Sequence, residues 1–322
     1  MKTITFYYEH CCPEQFGEYL EFLCREDPEE LVIYSIFSHS FTGKEPEEIV
    51  NFQRKVSANR RIRFRNHGVF RNRVPLSRRA LNALADRGFR VELLIEDPET
   101  DPKKLLPTVK KLNQRGIYLN LWNAPADQKQ TYEKFRTAGL PVCFSKPEYT
   151  SETKAWFDTW VFDKGAVGVN TFTDIMGMLL LGIRSHNCRY SSCVGNTYYA
   201  DGKGRFYLCP IHLGEETCLG TMEDMGALSQ SFGQPTTYKV LLSCVNKREA
   251  CLNNCQVFSC CYGGCPMETE KGENCSHYAT LVTHIGNTLR EIYEKDRLGD
   301  VNPVVRSAIL NAIAFDSAFI RT

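Results

Sequence analysis

The sequence predicts an α/β protein in which strands and helices alternate through the first half and a cysteine-rich segment follows. Three observations carry that expectation. Apolar runs rich in β-branched and aromatic residues alternate with helical patterns six times within residues 1–150. Glycines stand where several of those helical patterns stop. Eleven of the fifteen cysteines fall within residues 188–275, too dense for incidental core packing.

The elements follow in order. TITFYY (3–8) reads as a strand, and EQFGEYLEFLCR (14–25) as a helix with Phe16, Tyr19, Leu20 and Leu23 on one face. LVIYSIF (31–37) is a second strand, followed by a helix starting at Pro46 and running to about Ala58. RIRFR (61–65) is a third strand before the helix PLSRRALNALADRG (75–88), which Gly88 closes. VELLI (91–95) precedes a helix over 101–116, again ending in glycine. IYLNLW (117–122), a helix over 127–139 and LPVCF (140–144) complete the series. Such units predict parallel pairing through right-handed crossovers, as a doubly wound sheet or an incomplete barrel. Residues 151–187 read as an amphipathic connector carrying Trp156, Trp160 and a helix near 172–183. Two C-terminal helices, split at Gly299–Pro303, fill 278–322.

Composition narrows the function. With 43% hydrophobic and 24% charged residues the chain can bury a sizeable core, and a net charge of +1 argues against nucleic-acid and membrane partners. The N-terminus MKTITFYYEHCC has no signal-peptide core, and the longest apolar run, MGMLLLGI (176–183), is too short to span a bilayer. These features predict a cytoplasmic protein, where thiols stay reduced and clustered cysteines bind metal rather than pair as disulfides.

The cysteine spacing resembles that of radical S-adenosylmethionine (SAM) peptide maturases with a C-terminal SPASM domain, here residues 188–277. Cys193, Gly204 and Cys209 in CVGNTYYADGKGRFYLC fit the first part of that pattern, with an Asp201-Gly202 hairpin turn. Cys255, Cys261 and Cys265 fit the second, Cys275 closes it, and Cys188 matches an additional ligand of two-cluster members. Cys251 stands one residue further from Cys255 than the family spacing. The resemblance implies two 4Fe–4S clusters, one held by Cys188, Cys193, Cys209 and Cys265, the other by Cys251, Cys255, Cys261 and Cys275. Two zinc ions in four-cysteine sites are the alternative, though zinc ribbons more often pair C-x2-C knuckles. Cys218, Cys244 and Cys260 are left as small hydrophobes.

The first half resembles the same family's partial (βα)6 barrel. FTGKEP (41–46) stands where that family has Gly-Gly-Glu-Pro, RNHG (65–68) where a Thr-Asn-Gly turn ends the third strand, and LLIEDP where strand four ends in Ser-Leu-Asp-Gly-Pro. The family's C-x3-C-x2-C triad is absent: the loop reads EHCCPEQFGEYLEFLC, with Cys11 and Cys12 adjacent and Cys24 a helix away. Gly43-Lys44-Glu45-Pro46 and Leu94 replace two further SAM-site features, so the resemblance implies a degenerate barrel that has lost SAM cleavage. Residues 54–79 hold ten Arg or Lys and no acid, including Arg61, Arg63 and Arg65 on one face of strand three. That pattern is a solvated rim or a docking surface for an acidic peptide or partner.

Three functions follow. The first is an accessory maturase in ribosomal peptide modification, binding a Cys-rich precursor peptide or relaying electrons for an active radical SAM enzyme. The second is a radical SAM maturase with an atypical cluster site built from Cys11 or Cys12, Cys24 and His10. The third is a zinc-stapled binding module without catalysis. No Ser-His-Asp set, phosphate-binding loop or His-Glu-x-x-His helix appears, and His186, His212, His277 and His284 read as ordinary surface or packed histidines.

Overall fold

The computed structural model describes residues 2–7, 31–38, 53–54, 62–71, 78–86, 88–97, 99–117, 119–123, 127–144, 147–182, 197–201, 205–209, 214–221, 224, 235–261 and 273–319. Two compact units share them: residues 1–96, 105–120 and 193–245 form the first, and 97–104, 121–192 and 246–322 the second. The cysteine-rich segment therefore divides between the units.

The first unit is a sheet. Strands β1 (Lys2–Tyr7), β2 (Leu31–Ser38), β3 (Ile62–Arg71) and β4 (Arg90–Ile95) are parallel neighbours in the order β4-β3-β2-β1. Their registers place Ile4 beside Ile33, Ile33 beside Phe64, and Phe70 beside Leu93. The four begin within a residue or two of the sequence expectation. The third runs on through Arg71, so Arg65–Gly68 is not a turn. The cause is non-local: His67 to Arg71 pair with Arg90 to Leu94, which keeps the backbone extended through the RNHG stretch.

The sheet has a covered face and an open one. Helix α1 (Arg78–Asp86) follows β3, and its Leu84 side chain comes within 3.8 Å of where a Gly68 Cβ would stand. The ring of Phe70 would meet that Cβ at 2.8 Å, so a larger residue at position 68 would force that buried ring to move. Gly68, Phe70, Val91, Leu93 and Ile95 are buried, while Glu92 and Leu94 on the alternate positions are half-buried and Arg65 is exposed. Alternation of this kind marks one face packed under helices and another reaching a roomier space.

Beyond β1 the sheet continues with residues far along the chain. Strand β7 (Thr197–Ala200) lies parallel to β1, pairing Thr3 with Thr197 and Phe6 with Ala200. The short strands β8 (Arg205–Tyr207) and β9 (Cys218–Thr221) then add in antiparallel fashion.

The second unit is mainly helical. A 3-10 turn (Pro102–Leu105) leads into α2 (Leu106–Asn113), which is counted with the first unit, before β5 (Leu119–Asn123). Strand β5 pairs with the two-residue β6 (Cys143–Phe144) through Trp122 and Asn123. Helix α3 (Gln128–Ala138) starts at Asp127, whose side chain accepts the Gln130 N–H at 2.9 Å. It ends at Gly139, where φ is 70°.

Helices α4 (Ser151–Phe162) and α5 (Asn170–Leu181) occupy the segment expected to be an amphipathic connector. Trp156, Phe157, Trp160 and Phe172 are buried, with Trp156–Phe172, Trp160–Phe172 and Phe157–Phe172 ring centroids 4.7, 5.1 and 5.3 Å apart. This aromatic cluster lies in the core of the unit. Helix α6 (Pro235–Asn254) carries the chain onward, followed by the single turn α7 (Phe258–Cys261). Helices α8 (Glu273–Glu294) and α9 (Pro303–Phe319) close the chain, split as the sequence predicts near Gly299–Pro303. Helix α8 packs against α4 and α5, and α9 against α5.

Candidate functional site

The eight cysteines of the pattern lie on two kinds of support. Cys209 follows β8, and its neighbour Leu208 donates a backbone hydrogen bond to the Thr217 carbonyl at 2.9 Å. The hairpin from β7 to β8 turns at Asp201, as the sequence implies. Asp201 accepts the Arg205 backbone N–H at 3.0 Å, Arg205 Nε at 2.9 Å and the Tyr207 hydroxyl at 3.1 Å. Burial, with Asp201 close by, pushes the Tyr207 phenol up. One carboxylate thus fixes the turn that delivers Cys209, which is buried.

The other described cysteines sit at helix ends. Cys251 and Cys255 are one turn apart at the C-terminal end of α6, and the Cys255 N–H bonds the Cys251 carbonyl at 2.8 Å. That helical turn accounts for the extra residue between them: a spacing of four puts two side chains on one helix face. Cys261 ends α7, and Cys275 lies in the first turn of α8. Cys251 and Cys261 are buried, Cys255 is half-buried and Cys275 is exposed. Cys260, beside Cys261, is buried, as expected of a packing cysteine, whereas Cys218 in β9 is half-buried.

Cys188, Cys193 and Cys265 lie outside the described residues, as do Cys11, Cys12, Cys24, His10, the FTGKEP turn, Gly202, Gly204, Arg61, His186 and His212. The backbone of Cys244 is described, in α6. The donor set has the right chemistry for a thiolate-bound cluster, and four of its members stand on consecutive helix ends of one unit. Among the described residues, however, no three Cys, His, Asp or Glu side chains converge as a bound metal requires.

A groove opens beside these helix ends. It holds about 480 Å³ and is lined by Lys154 of α4, residues 254–257 at the end of α6, and Ala279, Thr280, Thr283, His284 and Asn287 of α8. His284 lies at hydrogen-bond distance from Asp158, 2.5 Å from Nε2 to Oδ1, and packs edge-on against the Phe157 ring at 5.9 Å. His284 is thus a packed histidine with a carboxylate partner. Its partner is 126 residues away, and nothing local in either segment signals the pairing.

No family profile and no curated protein matches the chain. Solved structures do match. His-tagged anSMEcpe with bound AdoMet superposes with a TM-score of 0.69 at 15% identity, over 91% of this chain and 99% of that one. Native anSMEcpe with bound AdoMet and the Cp18Cys peptide gives 0.65 at 14% identity, over 95% and 98%. The complex with the Kp18Cys peptide gives 0.66 at 15%, over 89% and 99%. The likeness is one of fold, and it runs along nearly the whole length of the chain.

Proposed function

We propose that this protein is an accessory maturase of peptide modification, binding a Cys-rich precursor peptide and relaying electrons for a partner radical SAM enzyme. The observation that carries the reading is a combination. The fold is maturase-like, the eight-cysteine pattern is kept, and the cysteine triad needed to cleave SAM is missing. Solved neighbours that hold peptides support the peptide part. In this reading Cys188, Cys193, Cys209 and Cys265 hold one 4Fe–4S cluster, and Cys251, Cys255, Cys261 and Cys275 the other. Bound there, the clusters would supply one-electron transfer, with four thiolates each and no iron open to substrate. The chain's own part is to fix those thiols on the Asp201 hairpin and on helix ends, and to seat the peptide. The domain plan is a degenerate barrel over 1–150, a connector over 151–187, a SPASM domain over 188–277 and closing helices over 278–322, in a cytoplasmic protein.

Neighbours that bind AdoMet favour a second reading, an active enzyme whose cluster uses Cys11 or Cys12, Cys24 and His10. Iron, acid-labile sulfide and zinc, measured together on protein purified without oxygen, separate the readings. About eight irons and eight sulfides per chain are expected for the accessory role. About twelve irons, with 5′-deoxyadenosine formed on reduction, would make the protein an enzyme in its own right. Two zincs without sulfide would leave only a stapled binding module.

A further inference from the structure

The groove at the end of α6 has a chemistry of its own. Its lining includes one lysine and no carboxylate. The nearby acid, Asp158, is engaged by His284. Among the described residues Lys154 has no ion-pair partner and is exposed, so its ammonium is a positive charge available to a ligand. Around it stand the amides of Gln256 and Asn287 and the hydroxyl of Thr280. Amide side chains both donate and accept, which matches the alternating groups of a peptide main chain. A volume of about 480 Å³ suits a few residues of chain rather than a folded domain. In the lining, His284 contacts both Asp158 and the Phe157 ring.

We propose that this groove seats a short peptide segment by its carboxylate, with Lys154 as the anion contact and the amides on the main chain. This rests on the peptide-binding part of the proposed function and names where and by which group the peptide is held. Cys255 lines the same groove, so the seated segment would pass beside the cluster that this cysteine holds in the proposed function.

The test is fluorescence anisotropy with a fluorescein-labelled pentapeptide, Gly-Cys-Gly-Ser-Cys, prepared as the free acid and as the C-terminal amide. The wild-type chain is expected to prefer the free acid. Lys154→Gln should weaken the acid by roughly tenfold and leave the amide unchanged, while Lys154→Arg keeps most of the preference. Lys154 is exposed on a helix, so these variants should fold. Equal binding of acid and amide by wild type, or equal losses for both in Lys154→Gln, would overturn the inference while leaving peptide binding intact. Binding of neither peptide would overturn it too. Iron and sulfide measured on the same samples report separately on the clusters: a colourless chain that still discriminates acid from amide supports the groove and removes the electron-relay role.

Discussion

Two buried asparagines show how single side chains hold the second unit together. Asn170 bridges the β6 backbone, donating from Nδ2 to the Phe144 carbonyl at 3.0 Å and accepting the Phe144 N–H at 2.9 Å. Asn302 donates to the Trp160 carbonyl at 2.6 Å and accepts the Val305 N–H at 2.9 Å, capping α9 and tying it to α4. Removing either amide strands buried backbone groups, so Asn302→Ala should cost about 2 to 3 kcal/mol in chemical denaturation. A charged pair works differently. Asp163 accepts bidentate bonds from Arg136 and one from the Gly165 N–H at 2.9 Å. Its carboxyl is held below its ordinary value of 3.8, first by the Arg136 hydrogen bond. A depressed acid stabilises the fold above the unfolded-state value and loses that contribution as pH falls through the folded one. Asp163→Asn should therefore lower the melting temperature at pH 7, and the gap to wild type should close below about pH 4. Arg136 is more than a third exposed on its side chain, so solvent screening keeps the effect near about 1 kcal/mol. A gap constant from pH 7 down to pH 3 would contradict this.

Helix ends were the most legible elements, and they make a clean test. Gly88, Gly116 and Gly139 stand where the sequence ends its helices, and all three have positive φ, at 58°, 68° and 70°. At Gly139 the N–H reaches the Arg136 carbonyl at 3.0 Å, and the Leu140 N–H reaches that of Phe135 at 3.0 Å. Nothing lies within 4 Å of an added Cβ there. The cost of Gly139→Ala is then purely conformational, about 1 kcal/mol, and Gly139→Asn should recover part of it, as a urea titration would read. Strands β1, β2 and β4 were legible for a similarly local reason, since alternation of apolar residues is written within the strand. The length of β3 was not, because β4 decides it across the sheet. Nor was the role of Trp156 and Trp160. Their pattern shows a helix with an apolar face, but the faces of Phe172 and Tyr132 that meet it come from other helices. The groove was illegible for the same reason: Lys154, Cys255 and His284 come from three helices.

At the scale of the whole molecule, the pairing of β7 with β1 matters most. Residues 197–200 extend the sheet begun at residues 2–7, so the hairpin that delivers Cys209 is anchored in the first unit. Cys251, Cys255, Cys261 and Cys275 belong to the second. If each set of four holds a cluster, metal binding and folding are coupled, because the thiolates must be gathered against their mutual repulsion and the ligand-free helix ends lack that tie. Cys261→Ser should then lose about four irons per chain, and Cys143→Ser, which lies outside the pattern in β6, should lose none. Stripping iron from the wild type should lower the calorimetric midpoint by roughly 10 °C, since a ligand bound only to the folded form contributes several kcal/mol. The same stripping of Cys261→Ser should move it less, because one cluster is already gone. Equal iron content in wild type and Cys261→Ser would remove the second cluster and leave the helix-end cysteines without a metal role. Equal content together with an unchanged midpoint after stripping would put the eight-cysteine pattern outside the chain's stability altogether.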